Sequence, residues 1–232
     1  MPPRQRRLPA VPESGTNRAR ASTENGGPSA PVTARGEATR RRILDAAEEV
    51  FGELGYYEAS VSEITRRASV AQGTFYIYFH TKRDIFVELV NDLGNRLRAA
   101  MRHAIAGAST RLQIEAQGFR GFFQFASEHR RIYRIVQEAE RVAPEAAEAY
   151  YYAISSGYER ALRQAMDAGD IRPMNPEAVA FALMGIGHFL ALRWLIWPAA
   201  PQHTAGTDGI PADVFESAMD FIAHGLSTNN AK

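Results

Sequence analysis

Three consecutive residues, Gln72, Gly73 and Thr74, have the chemistry needed to contact the edges of DNA bases. A glutamine amide can form two hydrogen bonds with adenine, and a threonine methyl group can touch the methyl group of thymine. Glycine lets the backbone come close because it has no Cβ. The three residues together predict a surface that reads base sequence.

Two short helices joined by a tight turn are predicted around these residues, over positions 61–79. Ser60 and Glu63 form a capping-box pattern, which marks the start of the first helix. Phe75 and Phe79 are four residues apart and are expected to face the core. This arrangement is typical of a helix-turn-helix, whose second helix enters the major groove of DNA.

The sequence on both sides extends this pattern. An apolar stripe over positions 43–54 predicts a preceding helix that ends at Gly55, and Thr81 predicts the start of a longer helix. The stretch from Thr39 to Phe86 contains the run Gly-Thr-Phe-Tyr-Ile-Tyr-Phe-His-Thr-Lys. This stretch resembles the signature of the TetR/AcrR family of transcriptional regulators.

The resemblance implies two sets of DNA contacts. Base-edge contacts are implied for Ser62, Gln72, Gly73 and Thr74. Phosphate contacts are implied for Tyr76, Tyr78 and Lys82. Phenol and ammonium donors to phosphate fix the position of a protein on the duplex without reading its sequence. Tyr76 is off the Phe75/Phe79 side of its helix, which favours a contact over a core position.

The chain departs from the family pattern at three positions. Ser69 stands in the inter-helix turn where the family usually has glycine, so a strained backbone is expected there. Ala71 replaces the usual serine cap of the second helix, which removes a side-chain acceptor and about 1 kcal/mol of capping. Thr65 stands where alanine is common.

No useful strand alternation occurs in the chain, so the predicted fold class is all-α. A three-helix DNA-binding domain is predicted over 36–96, with its helix-turn-helix at about 59–78. A larger helical ligand-binding and dimerisation domain follows over 97–227, and a tail over 228–232. Further helices are predicted at 83–101, 111–126, 132–140, 145–168, 177–197 and 212–226.

A leader over 1–35 is rich in Pro, Gly and Ser and is expected to be disordered. Positions 1–42 carry nine Arg and three Glu, a charge of +6, so the remainder carries −5 of the total of +1. Such an Arg-rich leader either strengthens DNA binding by attracting phosphate groups or makes no contribution to binding. The absence of cysteine excludes disulfides and thiolate metal sites, and a cytoplasmic location without metal or cofactor is expected.

The stretch from Ala178 to Trp197 has only His188 and Arg193 as polar residues. Its length is compatible with a membrane span. A helix that is apolar nearly all round is also what a dimer interface requires, and the family resemblance implies dimerisation through the last two long helices. We favour the homodimer and expect no membrane partner.

The middle helices are rich in aromatic residues, most of which are expected to be core. A cavity lined by aromatics and a few polar groups is also how ligand pockets are built. The resemblance implies an effector pocket among these helices. The residues predicted to contribute to it are Phe123, Tyr133, Gln137, Tyr151 and His188. The expected ligand is apolar or aromatic, including an acid or an acyl thioester.

These features predict a homodimeric regulator that binds a palindromic operator and is released by a small-molecule effector. Activation instead of repression stays open, as does an architectural DNA-binding protein without a ligand. An enzyme is disfavoured because the chain lacks G-x-S-x-G, H-E-x-x-H and G-x-x-x-x-G-K. The Gly185–Gly187 and Gly118–Gly121 pairs are incomplete or misplaced versions of glycine-rich binding loops.

Overall fold

A computed structural model describes residues 33–197 and 209–228, and its regular elements there are all helical. The all-α prediction is confirmed. The elements are α1 (Ala34–Leu54), α2 (Val61–Arg67), α3 (Gln72–Tyr78), α4 (Lys82–Ala104), α5 (Arg111–Glu128), α6 (Arg131–Val142), α7 (Pro144–Asp167), α8 (Pro176–Ala191), a π-helical turn (Leu192–Ile196) and α9 (Ala212–Leu226).

The first helix begins earlier than predicted. Thr33 is its N-cap, and the hydroxyl of this residue accepts a hydrogen bond from the Gly36 amide at 3.1 Å. The last two positions of the predicted leader are therefore helical, whereas residues 1–32 lie outside the described part. Gly55 ends the helix as predicted, with φ of 81° and an N–H bond to the Phe51 carbonyl.

Helix α4 crosses the predicted domain boundary at 96/97 and continues to Ala104. Its start is fixed by a reciprocal capping box between Thr81 and Asp84. Leu89, Leu93 and Leu97 are buried along its length. The predicted boundary therefore lies inside a helix and not in a linker.

The bounds of the later helices differ slightly from those predicted. The end of α7 is a Schellman arrangement at Gly169, where the amide of Asp170 bonds to the carbonyl of Ala165 at 2.9 Å. The prediction of a single α-helix over 177–197 is wrong at its end. The Trp197 amide donates to the Leu192 carbonyl, five residues earlier, which is the hydrogen bond of a π-helical turn. Residues 198–208 and 229–232 lie outside the described part.

Packing joins the two parts of the chain. Helix α2 packs beside α1 and α3 packs on α2, while α4 packs on α5 and α7. Helix α6 contacts both α1 and α7, and α8 lies against α7. The buried side chains form one continuous apolar cluster from α1 to α9. Helices α4 and α6 therefore connect the later helices to α1.

Candidate DNA-binding surface and ligand cavity

The turn between α2 and α3 is closed by two backbone bonds. The amide of Val70 donates to the Thr65 carbonyl at 3.0 Å, and that of Ser69 donates to Arg66 at 3.2 Å. This Schellman arrangement requires a left-handed residue after the cap. Ser69 takes that conformation with φ of 53°, so the predicted backbone strain is confirmed.

Replacing Ser69 with glycine is expected to raise the free energy of unfolding by up to about 1 kcal/mol, because glycine adopts positive φ without a Cβ clash. The measurement is urea denaturation. The matched control is Ser156→Gly, in the interior of α7, which is expected to lower stability by about 0.5–1 kcal/mol. A loss of stability in both variants would contradict the assignment of strain.

The caps of these helices agree with the sequence only in part. Ser60 accepts from the Glu63 amide as predicted, and Ala71 provides no side-chain bond to α3. In a capping box, the Glu63 carboxylate would also accept a hydrogen bond from the Ser60 amide. That part of the prediction is wrong, because the carboxylate pairs with Arg66 and Arg67. These two guanidinium groups lower the pKa of Glu63 to about 2.

The predicted base-reading residues are all at least partly accessible to solvent. Gln72, Gly73 and Ser62 are exposed, and Thr74 is half-buried. A Cβ built at Gly73 would meet nothing within 4 Å, so the fold itself does not require glycine there. Phe75, in contrast, is fully buried beneath them. Helix α3 therefore packs into the core through Phe75, and Gln72 and Gly73 are accessible to solvent.

The three predicted phosphate-binding residues have different surroundings. Tyr76 is 49% exposed and Tyr78 is half-buried. The Lys82 ammonium donates to the carbonyls of Tyr56 at 2.7 Å and Ala59 at 2.8 Å, and more weakly to that of Tyr57. This geometry favours a structural role for Lys82, which holds the loop before α2 against the start of α4.

One face of α6 binds the end of α1 and the loop that follows. Glu138 accepts a hydrogen bond from the Tyr56 amide at 2.6 Å, and Arg134 donates to the Glu53 carbonyl at 2.6 Å. Arg131 forms an ion pair with the Glu53 carboxylate at 2.9 Å. These contacts could not be predicted from helical spacing, and they join α6 to the end of α1 and to the loop before α2.

The opposite face of α6 lines a cavity of about 90 Å³, bounded by residues of α4 to α8. Four of the five predicted pocket residues line it: Tyr133, Gln137, Tyr151 and His188. The rings of Tyr133 and His188 lie 5.4 Å apart. Burial lowers the pKa of His188 and raises that of Tyr151 to about 12, so both side chains are neutral near pH 7.

Phe123 is not among the residues that line this cavity, so that part of the prediction is wrong. Its side chain is fully buried and packs against Phe119, Phe122 and Phe215. Phe119 and Phe122 line the cavity in its place. Positions 119, 122 and 123 share one side of α5, and spacing alone does not show which ring faces open space.

A buried ion pair behind the cavity was missed by the sequence analysis. Arg111 and Glu115 pair within α5, and both are almost completely buried. The cavity-lining Tyr158 donates to the Glu115 carboxylate at 2.8 Å, and burial raises the pKa of that tyrosine. Within the described ranges, no group of three or more His, Asp or Glu residues is placed to hold a metal ion.

An apolar surface is exposed on α8 and α9. Phe189 is 65% exposed and Phe221 is 70% exposed, with Phe181 and Trp197 also outward. The segment Pro176–Ile196 is long and apolar enough to cross a membrane by length and composition alone. Exposed aromatic groups that form a contiguous patch are typical of a surface that a partner covers.

Comparison with known proteins agrees with this arrangement. Residues 43–89 match the family model of bacterial regulatory proteins of the tetR family. An uncharacterised helix-turn-helix regulator of Bacillus subtilis, YdgC, is 42% identical over 67 residues, which is 29% of this chain and 34% of that protein. The similarity to this family at the level of sequence therefore lies in the helix-turn-helix region of the chain.

Similarity to solved structures extends over most of the chain, but at low sequence identity, so it is a similarity of fold. The structure of the regulator FadR from Bacillus subtilis in complex with stearoyl-CoA aligns with a TM-score of 0.67 at 21% identity, covering 81% of this chain and 99% of that one. A TetR-family regulator from Marinobacter aquaeolei gives 0.63 at 17% identity over 80% and 96%. The first curated relatives are matched over only about a third of their length.

Proposed function

We propose that this protein is a homodimeric repressor that binds a palindromic operator and releases it when a small apolar ligand enters the cavity. The observation that carries the proposal is the surface formed by Gln72, Gly73 and Thr74, which is open while Phe75 beneath it is buried. Base-reading chemistry on the outer side of a short, well-anchored helix suits the major groove.

The exposed surface of α8 and α9 supports the homodimer. A second copy would bury Phe189 and Phe221 on each chain and would leave the helix-turn-helix units free at the other end. Two such units one DNA turn apart, about 34 Å, match the half-sites of a palindrome. The same dimer would cover the apolar side of α8 without a membrane.

Helices α4 and α6 support the coupling between ligand and DNA. Helix α4 begins directly after the helix-turn-helix and packs on the cavity helices α5 and α7. Helix α6 contributes Tyr133 to the cavity and Glu138 to the loop before α2. A ligand that favours one position of these helices changes the separation of the two DNA-binding units, with a coupling of about 1–3 kcal/mol.

Loss of the Glu138 contact is expected to weaken the junction with the helix-turn-helix. The variant Glu138→Ala leaves the partly buried Tyr56 amide without its acceptor, which is expected to lower the free energy of unfolding by about 1–3 kcal/mol. Amide hydrogen exchange at Tyr56 should accelerate. The control Glu148→Ala, at an exposed position of α7, is expected to stay within about 0.5 kcal/mol; equal losses would contradict the proposed junction.

Selection of bound sequences from a random duplex pool, at a fixed salt concentration, tests the proposed function. We expect a palindrome whose half-sites lie about one helical turn apart. Enrichment of a single half-site would contradict the dimer. Binding without sequence preference would favour an architectural DNA-binding protein, in which charge alone sets the affinity.

A further inference from the structure

Tyr133 has a buried hydroxyl group that meets no hydrogen-bond partner among the described residues. Its side chain is only 7% exposed, and it lines the cavity. Two neighbouring hydroxyls are already used, since Tyr158 donates to Glu115 and Tyr151 donates to Glu140. A buried hydroxyl without a partner is unfavourable, so Tyr133 provides a donor that an occupant of the cavity can satisfy.

Among the described residues, the cavity lining supplies no cationic side chain to hold an anion, since it includes no Lys or Arg. Burial lowers the pKa of the half-buried His188, which favours its neutral form near pH 7. Arg111, which lies behind Tyr158, is paired with Glu115. The guanidinium of Arg98 acts on the cavity-lining Tyr150 and donates to the uncharged Asn95 side chain at 2.5 Å, but Arg98 itself is not among the lining residues. An anionic group would therefore lose its hydration without direct contact with a cationic lining residue.

The cavity also offers little to a cation. Glu115 is neutralised by Arg111 and accepts from Tyr158. Glu140 is exposed, so its charge is screened by solvent. The aromatic rings attract cations only modestly by comparison with a buried carboxylate free to pair. Shape and charge together favour an uncharged occupant.

We propose that the cavity binds a neutral, largely apolar ligand with one carbonyl oxygen, and that the Tyr133 hydroxyl donates to this oxygen. This inference rests on the proposed function, because it takes the cavity to be the effector site. A carboxylic acid in its ionised form would lack a counterion, and a hydrocarbon would leave Tyr133 without an acceptor. The ligand class therefore excludes fatty acid anions.

Three aromatic probes that share the naphthalene ring test the assignment, and the two with a carbonyl group are equal in size. These are naphthalene, which has no acceptor, 2-acetylnaphthalene, which has a neutral carbonyl, and 2-naphthoate, which is ionised at pH 7.5. Equilibrium dialysis against the full-length protein measures each dissociation constant. We expect 2-acetylnaphthalene to bind at least about tenfold more tightly than 2-naphthoate, with naphthalene between them.

The variant Tyr133→Phe removes only the hydroxyl. It is expected to weaken binding of 2-acetylnaphthalene about tenfold, the effect of one hydrogen bond, while naphthalene binds as before. The melting temperature should not fall, because the lost hydroxyl has no partner in the described residues. The control is Tyr152→Phe, which removes an exposed hydroxyl outside the cavity and should change neither affinity.

Equal or tighter binding of 2-naphthoate would overturn the inference, as would failure of all three probes to bind. Tight binding of stearoyl-CoA that is insensitive to Tyr133→Phe would overturn it as well. The operator selection is carried out on the same preparation without any probe. Sequence-specific DNA binding with the wrong ligand preference refutes only the ligand class, whereas loss of specific DNA binding refutes the proposed function.

Discussion

Replacing Phe189 with glutamate is expected to convert the protein to a monomer and to weaken operator binding by about 100-fold or more. The substitution places a charge in the proposed interface of α8 and α9, where it would be buried without a partner. Two linked half-site contacts then become independent, which forfeits the gain from linkage, about 10²–10⁴ in affinity. Light scattering after gel filtration measures the mass, and fluorescence anisotropy measures operator affinity.

The fold of each chain should tolerate this change, since Phe189 is 65% exposed in the single chain. Phe221→Glu on α9 is expected to act in the same way. The control is Asn91→Glu, which adds the same charge at an exposed position of α4 and should leave both mass and affinity unchanged. A dimer of Phe189→Glu and Phe221→Glu with full operator affinity would place the interface elsewhere.

The variant Gln72→Ala is expected to lose affinity for the selected operator while keeping its affinity for unrelated DNA. Each glutamine–adenine pair contributes about 1–3 kcal/mol of discrimination, or about 5–150-fold per half-site. The amide is uncharged, so the slope of log affinity against log salt should not change. Anisotropy titrations with operator and scrambled duplexes at several salt concentrations measure both quantities.

The control for this variant is Gln164→Ala, at an exposed position of α7, which should behave as the unaltered protein. Both variants should remain as stable as the original chain, because alanine is favourable in helices. If Gln72→Ala weakened operator and scrambled duplex equally, Gln72 would have a role in phosphate binding instead of base reading.

The helix-turn-helix could be predicted closely because its signals are local. The Ser60 cap, the Phe75/Phe79 pair and the left-handed Ser69 each depend on residues within one or two helical turns. The family resemblance extended these signals to Lys82. Its ammonium nevertheless binds three carbonyls from the loop before α2, a set of partners more than twenty residues distant in the sequence.

The cavity could be predicted less well, because it depends on how distant helices meet. Aromatic content indicated which helices line it, but Phe123 and Phe122 differ by one position and only the latter faces the space. In the sequence of α6, the charged residues Arg131, Arg134 and Glu138 stand between apolar residues. Its partners on α1 are set by tertiary packing, which helical spacing does not encode.

Gly73 is a position that the proposed DNA recognition uses and that the fold does not restrict to glycine. Among the described residues, nothing lies within 4 Å of a Cβ at this position, so the fold does not require glycine there. Neighbouring Gln72 is equally exposed. Mutations at these two sites can therefore alter which operator is preferred at little cost in stability, and duplicated copies of such a gene are free to diverge toward new regulatory targets.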